Sequence, residues 1–151
     1  MEFKYCVNPN DEEPIMLINK HIGFDEAKGQ GIIGSEFQKE LLFLDSLGKK
    51  RIKIYMSTLG GSVLEGQLIY NSILKSVCKV DTYNIGVVAS IGVPIFGAGR
   101  TRYMCDYALL MLHNTSGGTS QAQDILKQSV CTMVASRVGK TEQEVSDIIS
   151  R

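Results

Sequence analysis

Three short segments hold the residue types that acyl transfer requires. Gly86-Val87-Val88-Ala89-Ser90-Ile91-Gly92 sets one hydroxyl among small and apolar residues, at a loop-to-helix junction where backbone N–H groups are unpaired and the helix dipole is positive. A serine in such a place attacks a carbonyl once a base takes its proton, while neighbouring N–H groups hold the oxyanion. His113 follows the apolar run Ala108-Leu109-Leu110-Met111-Leu112 and precedes Asn114-Thr115-Ser116-Gly117-Gly118, so its imidazole stands at the exit of a strand, where a general base is well held. Gly60-Gly61 lets the backbone approach a substrate closely and point N–H groups into a cleft. The other histidine, His21, sits beside Lys20 and ahead of Gly23 and has no comparable setting. Taken singly, each segment has a plainer reading: Ser90 as a helix N-cap, His113 as a surface residue, and the glycine pair as a tight turn.

The elements that must position these groups alternate between strand and helix. Residues 15–19 form a short apolar run that suits a buried strand, and Gly23 and the Gly29–Gly34 region then break the chain. From Ser35 as N-cap, Phe37, Leu41, Leu44 and Leu47 recur at helical spacing up to Gly48. Arg51 to Ser57 alternates polar and apolar residues as a strand does, and a sharp turn through Thr58–Ser62 leads into a helix whose Val63, Leu68, Ile69 and Ile73 can face a core. A strand over Lys79–Ile85, a short helix between Gly86 and Gly99, and a strand over Tyr107–Leu112 follow. From Thr119 a long helix carries Ala122, Ile125, Leu126, Val130, Met133, Val134 and Val138 to Gly139, and Thr141 caps a last helix with Glu144 completing a capping box. Such an order predicts an α/β domain with its chemistry at the loops leaving the strands' C-terminal ends.

Bulk properties narrow the partners. A chain of 151 residues suits one domain with a real core. Lys and Arg total 16, as do Asp and Glu, and no basic stripe is present, which argues against nucleic acid. The start of the chain reaches Asp11-Glu12-Glu13 without a long apolar run, so no signal peptide, membrane span or membrane association is expected and a cytoplasmic location is. Cys6, Cys78, Cys105 and Cys131 show no CxxC spacing and no Cys/His pairing at metal-ligand spacing. Reduced, mostly buried thiols and no metal site are expected.

Taken together, Gly60-Gly61-Ser62-Val63 with Gly66 and Ile69-Tyr70, Gly86-x-x-Ala89-Ser90-x-Gly92, and Met111-Leu112-His113-Asn114 with Gly117-Gly118 resemble the Clp protease proteolytic subunit (ClpP) family. The intervals fit, with 29 positions from Gly61 to Ser90 and 23 from Ser90 to His113. The resemblance covers residues 15–151, with 1–14 as a separate N-terminal segment. It implies a crotonase-like ββα superhelix, a serine endopeptidase with a Ser–His–acid triad, no cofactor, and heptameric rings able to stack as a tetradecamer around the active sites. On that mapping Ser90 is the nucleophile, His113 the base, and the backbone N–H groups of Gly61 and Ile91 the oxyanion donors. The long helix from Thr119 corresponds to the family's handle. Leu59, Ile91 and Thr115 stand where the family often has proline, methionine and proline. The triad acid would fall just after Arg151, so the peptidase domain is expected to be truncated at its C-terminal end; Asp147 lies about a turn too early, and the third member stays unassigned.

The resemblance also implies protein or peptide substrates and one of two partners: a Clp ATPase unfoldase, or the capsid and scaffold proteins of the phage head-maturation branch, which the glycine-pair and His-Asn strings resemble more. Two other functions remain open, a non-catalytic assembly subunit and an acyl-CoA enzyme on the same fold.

Overall fold

Alternation decides the central strand. Every second residue from Ile52 is apolar or small, and a pleated strand sends such a set to one face. The structure, a computed structural model, describes residues 1–112 and 120–149, with side chains over 1–112 and 127–148. In it Ile52, Ile54 and Met56 are fully buried on strand β4 (Arg51–Thr58). His113, Asn114, Thr115, Gly117, Gly118 and Thr119 lie outside the described residues, as do the side chains of Ala122, Ile125 and Leu126.

β4 pairs in parallel with β1 (Ile15–Ile18) on one side and β5 (Lys79–Ala89) on the other. Met56 pairs with Asn84 but Thr58 with Val88, so β5 holds extra residues at a bulge, and a bulge bends its strand. Before it, Thr82–Asn84 pair with β6 (Arg102–Met104); after it, Val87–Ala89 pair with β7 (Leu109–Met111), both in parallel. The bend thus hands the end of β5, immediately before Ser90, to the strand that precedes His113 in sequence.

Helices α1 (Gly34–Ser46) and α2 (Val63–Lys75) supply Phe37, Leu41, Leu44, Ile69 and Ile73 to the core over this sheet. α3 (Gly92–Gly97) follows Ser90, and α4 (Ser120–Val138) and α5 (Glu142–Ile149) come last. α4 is fastened to the body at two points: the Tyr70 hydroxyl donates to the Met133 carbonyl at 3.2 Å, and Arg137 Nε donates to the Gly97 carbonyl at 2.8 Å. Thr141 and Glu144 form the expected capping box on α5, each side chain accepting from the other's backbone N–H. Residues before β1 are tied on by Glu40, whose buried carboxylate accepts from the N–H groups of Lys4, Tyr5 and Cys6.

Several local expectations are corrected. The 23–34 stretch is no mere break: β2 (Gly23–Asp25) and β3 (Gln30–Ile32) form an antiparallel hairpin. Ser35 is not the cap of α1; Ile33 holds that place without a side-chain bond, and the Glu65 carboxylate accepts from the Gly34 N–H instead. Leu68 is exposed rather than core-facing, and Leu47 and Val138, at the ends of their helical patterns, are exposed too. The strand expected to end at Ile85 continues to Ala89, and the last strand is confined to Leu109–Met111.

Candidate active site

Ser90 directly follows β5 in a left-handed backbone conformation, at φ 54°, unlike any other non-glycine described residue. That conformation costs a residue with a Cβ on the order of 1 kcal/mol and persists only where the surroundings enforce it. Two bonds do so: the Ser90 N–H donates to the Met111 carbonyl at 3.0 Å, and its own carbonyl accepts from Val93 N–H at 3.0 Å. The cap position of α3 belongs to Ile91, with no side-chain bond, so the Ser90 hydroxyl is not engaged in capping. A sharp strand-to-helix turn of this kind presents a side chain outward, the device by which hydrolases expose a nucleophilic oxygen.

Gly60 and Gly61 lie against this turn. A Cβ on Gly60 would meet the Ser90 Cβ at 2.6 Å, and one on Gly61 would strike the Ile22 carbonyl; φ values of 102° and 148° also favour glycine at both positions. Their path is fixed from two sides. The Thr58 hydroxyl donates to the Lys20 carbonyl at 2.8 Å and accepts from Gly60 N–H at 3.1 Å. Ile22 donates its N–H to the Gly60 carbonyl and accepts from Ser62 N–H, at 2.9 and 2.8 Å. In that pairing the groups of Gly60 and Ser62 turn toward Ile22, which leaves the Gly61 N–H on the opposite side. Neither Gly61 nor Ile91 donates its N–H to a described backbone carbonyl.

The Ile91 side chain is fully buried, and Gly66 on α2 makes that possible, since a Cβ there would sit 2.3 Å from Ile91 Cγ1. Ser62 caps α2 by accepting from Glu65 N–H. Thus the Gly60-Gly61-Ser62-Val63-x-x-Gly66 string is one packing unit: turn, cap, and a slot for the residue after Ser90.

Of the four site residues expected from sequence, Ser90, Gly61 and Ile91 are brought together around this turn. His113 lies outside the described residues; Leu112 just before it packs half-buried against the core, and the Met111 carbonyl holds the Ser90 N–H.

A profile of the Clp protease family matches residues 15–151. The chain belongs to the Clp protease family. Among curated relatives, the ATP-dependent Clp protease proteolytic subunit 1 of Corynebacterium jeikeium is 29% identical over 148 residues, spanning 94% of this chain and 76% of the relative. The proteolytic subunit 1 of Mycobacterium tuberculosis is 34% identical over 117 residues, spanning 75% and 58%. Among solved structures, ClpP1 from Listeria monocytogenes superposes with a TM-score of 0.76 at 23% identity, covering 91% of this chain and 79% of that one. The ClpP catalytic domain from Plasmodium falciparum gives 0.74, also at 23% identity, covering 88% and 71%. The fold is therefore the ClpP fold, and the chain is a ClpP-like serine peptidase by family.

Set within that family, other side chains separate from the site. Asp147 is exposed on α5, where its carboxylate accepts from Gln143 at 2.8 Å. The four thiols are free, but only Cys6 and Cys131 are buried; Cys78 is half-buried and Cys105 exposed, a correction to the expectation that most would be buried. Burial pushes the Cys6 and Cys131 thiols up and the Cys78 thiol to about 11, so these three are protonated near neutrality and are poor nucleophiles. Among the described residues no cluster of three His, Cys, Asp or Glu side chains offers a metal site, and no helix is long and apolar enough to cross a membrane.

His21 requires a second correction. Its imidazole lies beside Gly61, with Cε1 and Nε2 both 2.9 Å from where a Cβ on that glycine would stand. The setting is created by Ile22, which pairs with Gly61 and with Ile32. The local signal available in sequence was small: a histidine a few residues beyond a strand end.

Proposed function

We propose that this chain is an endopeptidase subunit in which Ser90 is the nucleophile, His113 the general base, and the Gly61 and Ile91 N–H groups the oxyanion donors. His113 takes the Ser90 proton as Oγ attacks the peptide carbonyl; the tetrahedral oxyanion is stabilised by the two N–H groups. Collapse breaks the C–N bond, and His113 returns the proton to the leaving amine. Water, activated by the same imidazole, then hydrolyses the acyl-serine. The observation that carries this reading is the left-handed Ser90 packed against Gly60 beside two N–H groups without described backbone acceptors.

Assembly into heptameric rings, stacked through the handle helix, and action on protein substrates follow the family. The glycine-pair and His-Asn strings favour the head-maturation branch, in which substrates are capsid and scaffold proteins, over delivery by an ATPase unfoldase. The test is turnover of a fluorogenic peptide by protein whose oligomeric mass is measured in parallel. Wild type should cut without added ATP, and Ser90→Ala and His113→Ala should each lose activity. Turnover that persists in Ser90→Ala would overturn the assignment, and a stable ring without turnover would favour a purely structural subunit.

A further inference from the structure

A cleft of about 410 Å3 opens at the C-terminal ends of β1, β4 and β5, lined among others by Lys20, His21, Asp25, Lys28, Leu59 and Val87. It adjoins the Ser90 turn through two elements. Leu59 directly precedes Gly60, which packs on Ser90, and His21 lies beside Gly61. The outer wall is the β2–β3 hairpin, whose tip carries Asp25 and Lys28.

We propose that this cleft is a substrate subsite that receives an acidic side chain of the peptide being cut. The inference rests on Ser90 being the nucleophile and names a preference of that same site. The lining carries two lysines and one aspartate, and that aspartate is already engaged in shaping the hairpin tip. Asp25 Oδ1 accepts from the Ala27 N–H at 3.1 Å, and its carbonyl accepts from Lys28 and Gly29. Neither lysine ammonium is ion-paired among the described residues. The cleft therefore carries unneutralised positive charge. Lys20 is half-buried and Lys28 exposed at the cleft's edge, and cations lining a concave site add their fields within it and attract an opposite charge. Exposed Leu59 and half-buried Val87 add an apolar strip on which the methylenes of a glutamate can rest, while His21 supplies a ring nitrogen between that strip and the oxyanion loop. Lysine, a mobile point charge, suits a carboxylate whose position varies from one peptide to the next.

The test uses the full chain with Ser90→Ala, so that binding is read independently of chemistry. Short fluorescent peptides carrying one glutamate, moved stepwise along the sequence, are compared by anisotropy with the same peptides carrying glutamine. At one position glutamate should bind at least about tenfold tighter, or about 1.4 kcal/mol. That advantage should fall below about threefold in Lys20→Ala/Lys28→Ala and shrink on raising salt from about 50 to about 500 mM. Equal binding of glutamate and glutamine at every position, or an advantage that survives the double substitution, would overturn the subsite. Circular dichroism confirms that each variant is folded. Failure of the Ser90 assignment is read separately, as loss of the turnover difference between wild type and Ser90→Ala.

Discussion

Two regions of this molecule treat backbone N–H groups in opposite ways. On the side of α1, carboxylates collect them: Glu40 takes three from residues 4–6, and Asp45 takes two from Val77 and Cys78 together with the Ser76 hydroxyl. At the Ser90 turn the N–H groups of Gly61 and Ile91 are left without a described backbone acceptor. Buried N–H groups are ordinarily satisfied. The difference separates a region whose N–H groups are tied up within the fold from one whose N–H groups are available to the oxyanion in the proposed reaction.

Substitutions in the two regions should sort cleanly into losses of rate and losses of stability. The largest effect is expected at Ser90→Ala, which removes the nucleophile and should lower kcat by on the order of 10^4 or more with little change in melting temperature. Gly61→Ala comes next, since a Cβ there would collide with the Ile22 carbonyl and displace an oxyanion donor; kcat should fall by roughly 10^2 to 10^3, read in steady-state turnover at matched oligomeric mass. Glu40→Ala should act the other way. It leaves three N–H groups without their buried acceptor and should cost about 3 kcal/mol in urea unfolding, while kcat of the folded enzyme holds.

Asp45 sharpens the comparison through pH. Burial opposes its charge, but the N–H groups of Val77 and Cys78 and the Ser76 and Cys78 side chains hold its carboxyl below the ordinary value. A folded-state pKa below the unfolded one stabilises fully above the ordinary aspartate range near about 3.9, and the gain is lost as pH falls through the depressed value. Asp45→Asn should therefore cost about 1 kcal/mol at neutral pH, a figure kept small by partial exposure, and the gap between the two proteins should close on acidification. Smallest of all, Leu68→Ala should change stability by less than about 0.5 kcal/mol, because Leu68 is exposed.

What was legible in the sequence divides along the same physical line. Short-range patterns were readable: the alternation of Ile52, Ile54 and Met56, the Thr141–Glu144 box, and the glycine and serine strings whose partners lie within the ClpP fold. Non-local contacts were not. Glu65 caps α1 from 31 positions away in place of Ser35, and nothing in the Gly34-Ser35 pair announces it. Strands of three residues such as β2 and β3 are too short to show alternation, so their glycines read as breaks. His21 gained its place only through the pairing of Ile22 with Gly61, a contact between a strand end and a turn 39 positions later. Leu47, Leu68 and Val138 follow helical spacing but lie at the margins of their apolar stripes, where spacing alone does not tell core from surface.

The most direct test of the central claim is a fluorophosphonate reaction followed by intact mass and peptide mapping of the folded, assembled protein. One adduct should appear, on the peptide containing Ser90, and none in Ser90→Ala. An adduct on another residue, or no adduct on wild type of confirmed fold and oligomeric mass, would contradict Ser90 as the nucleophile.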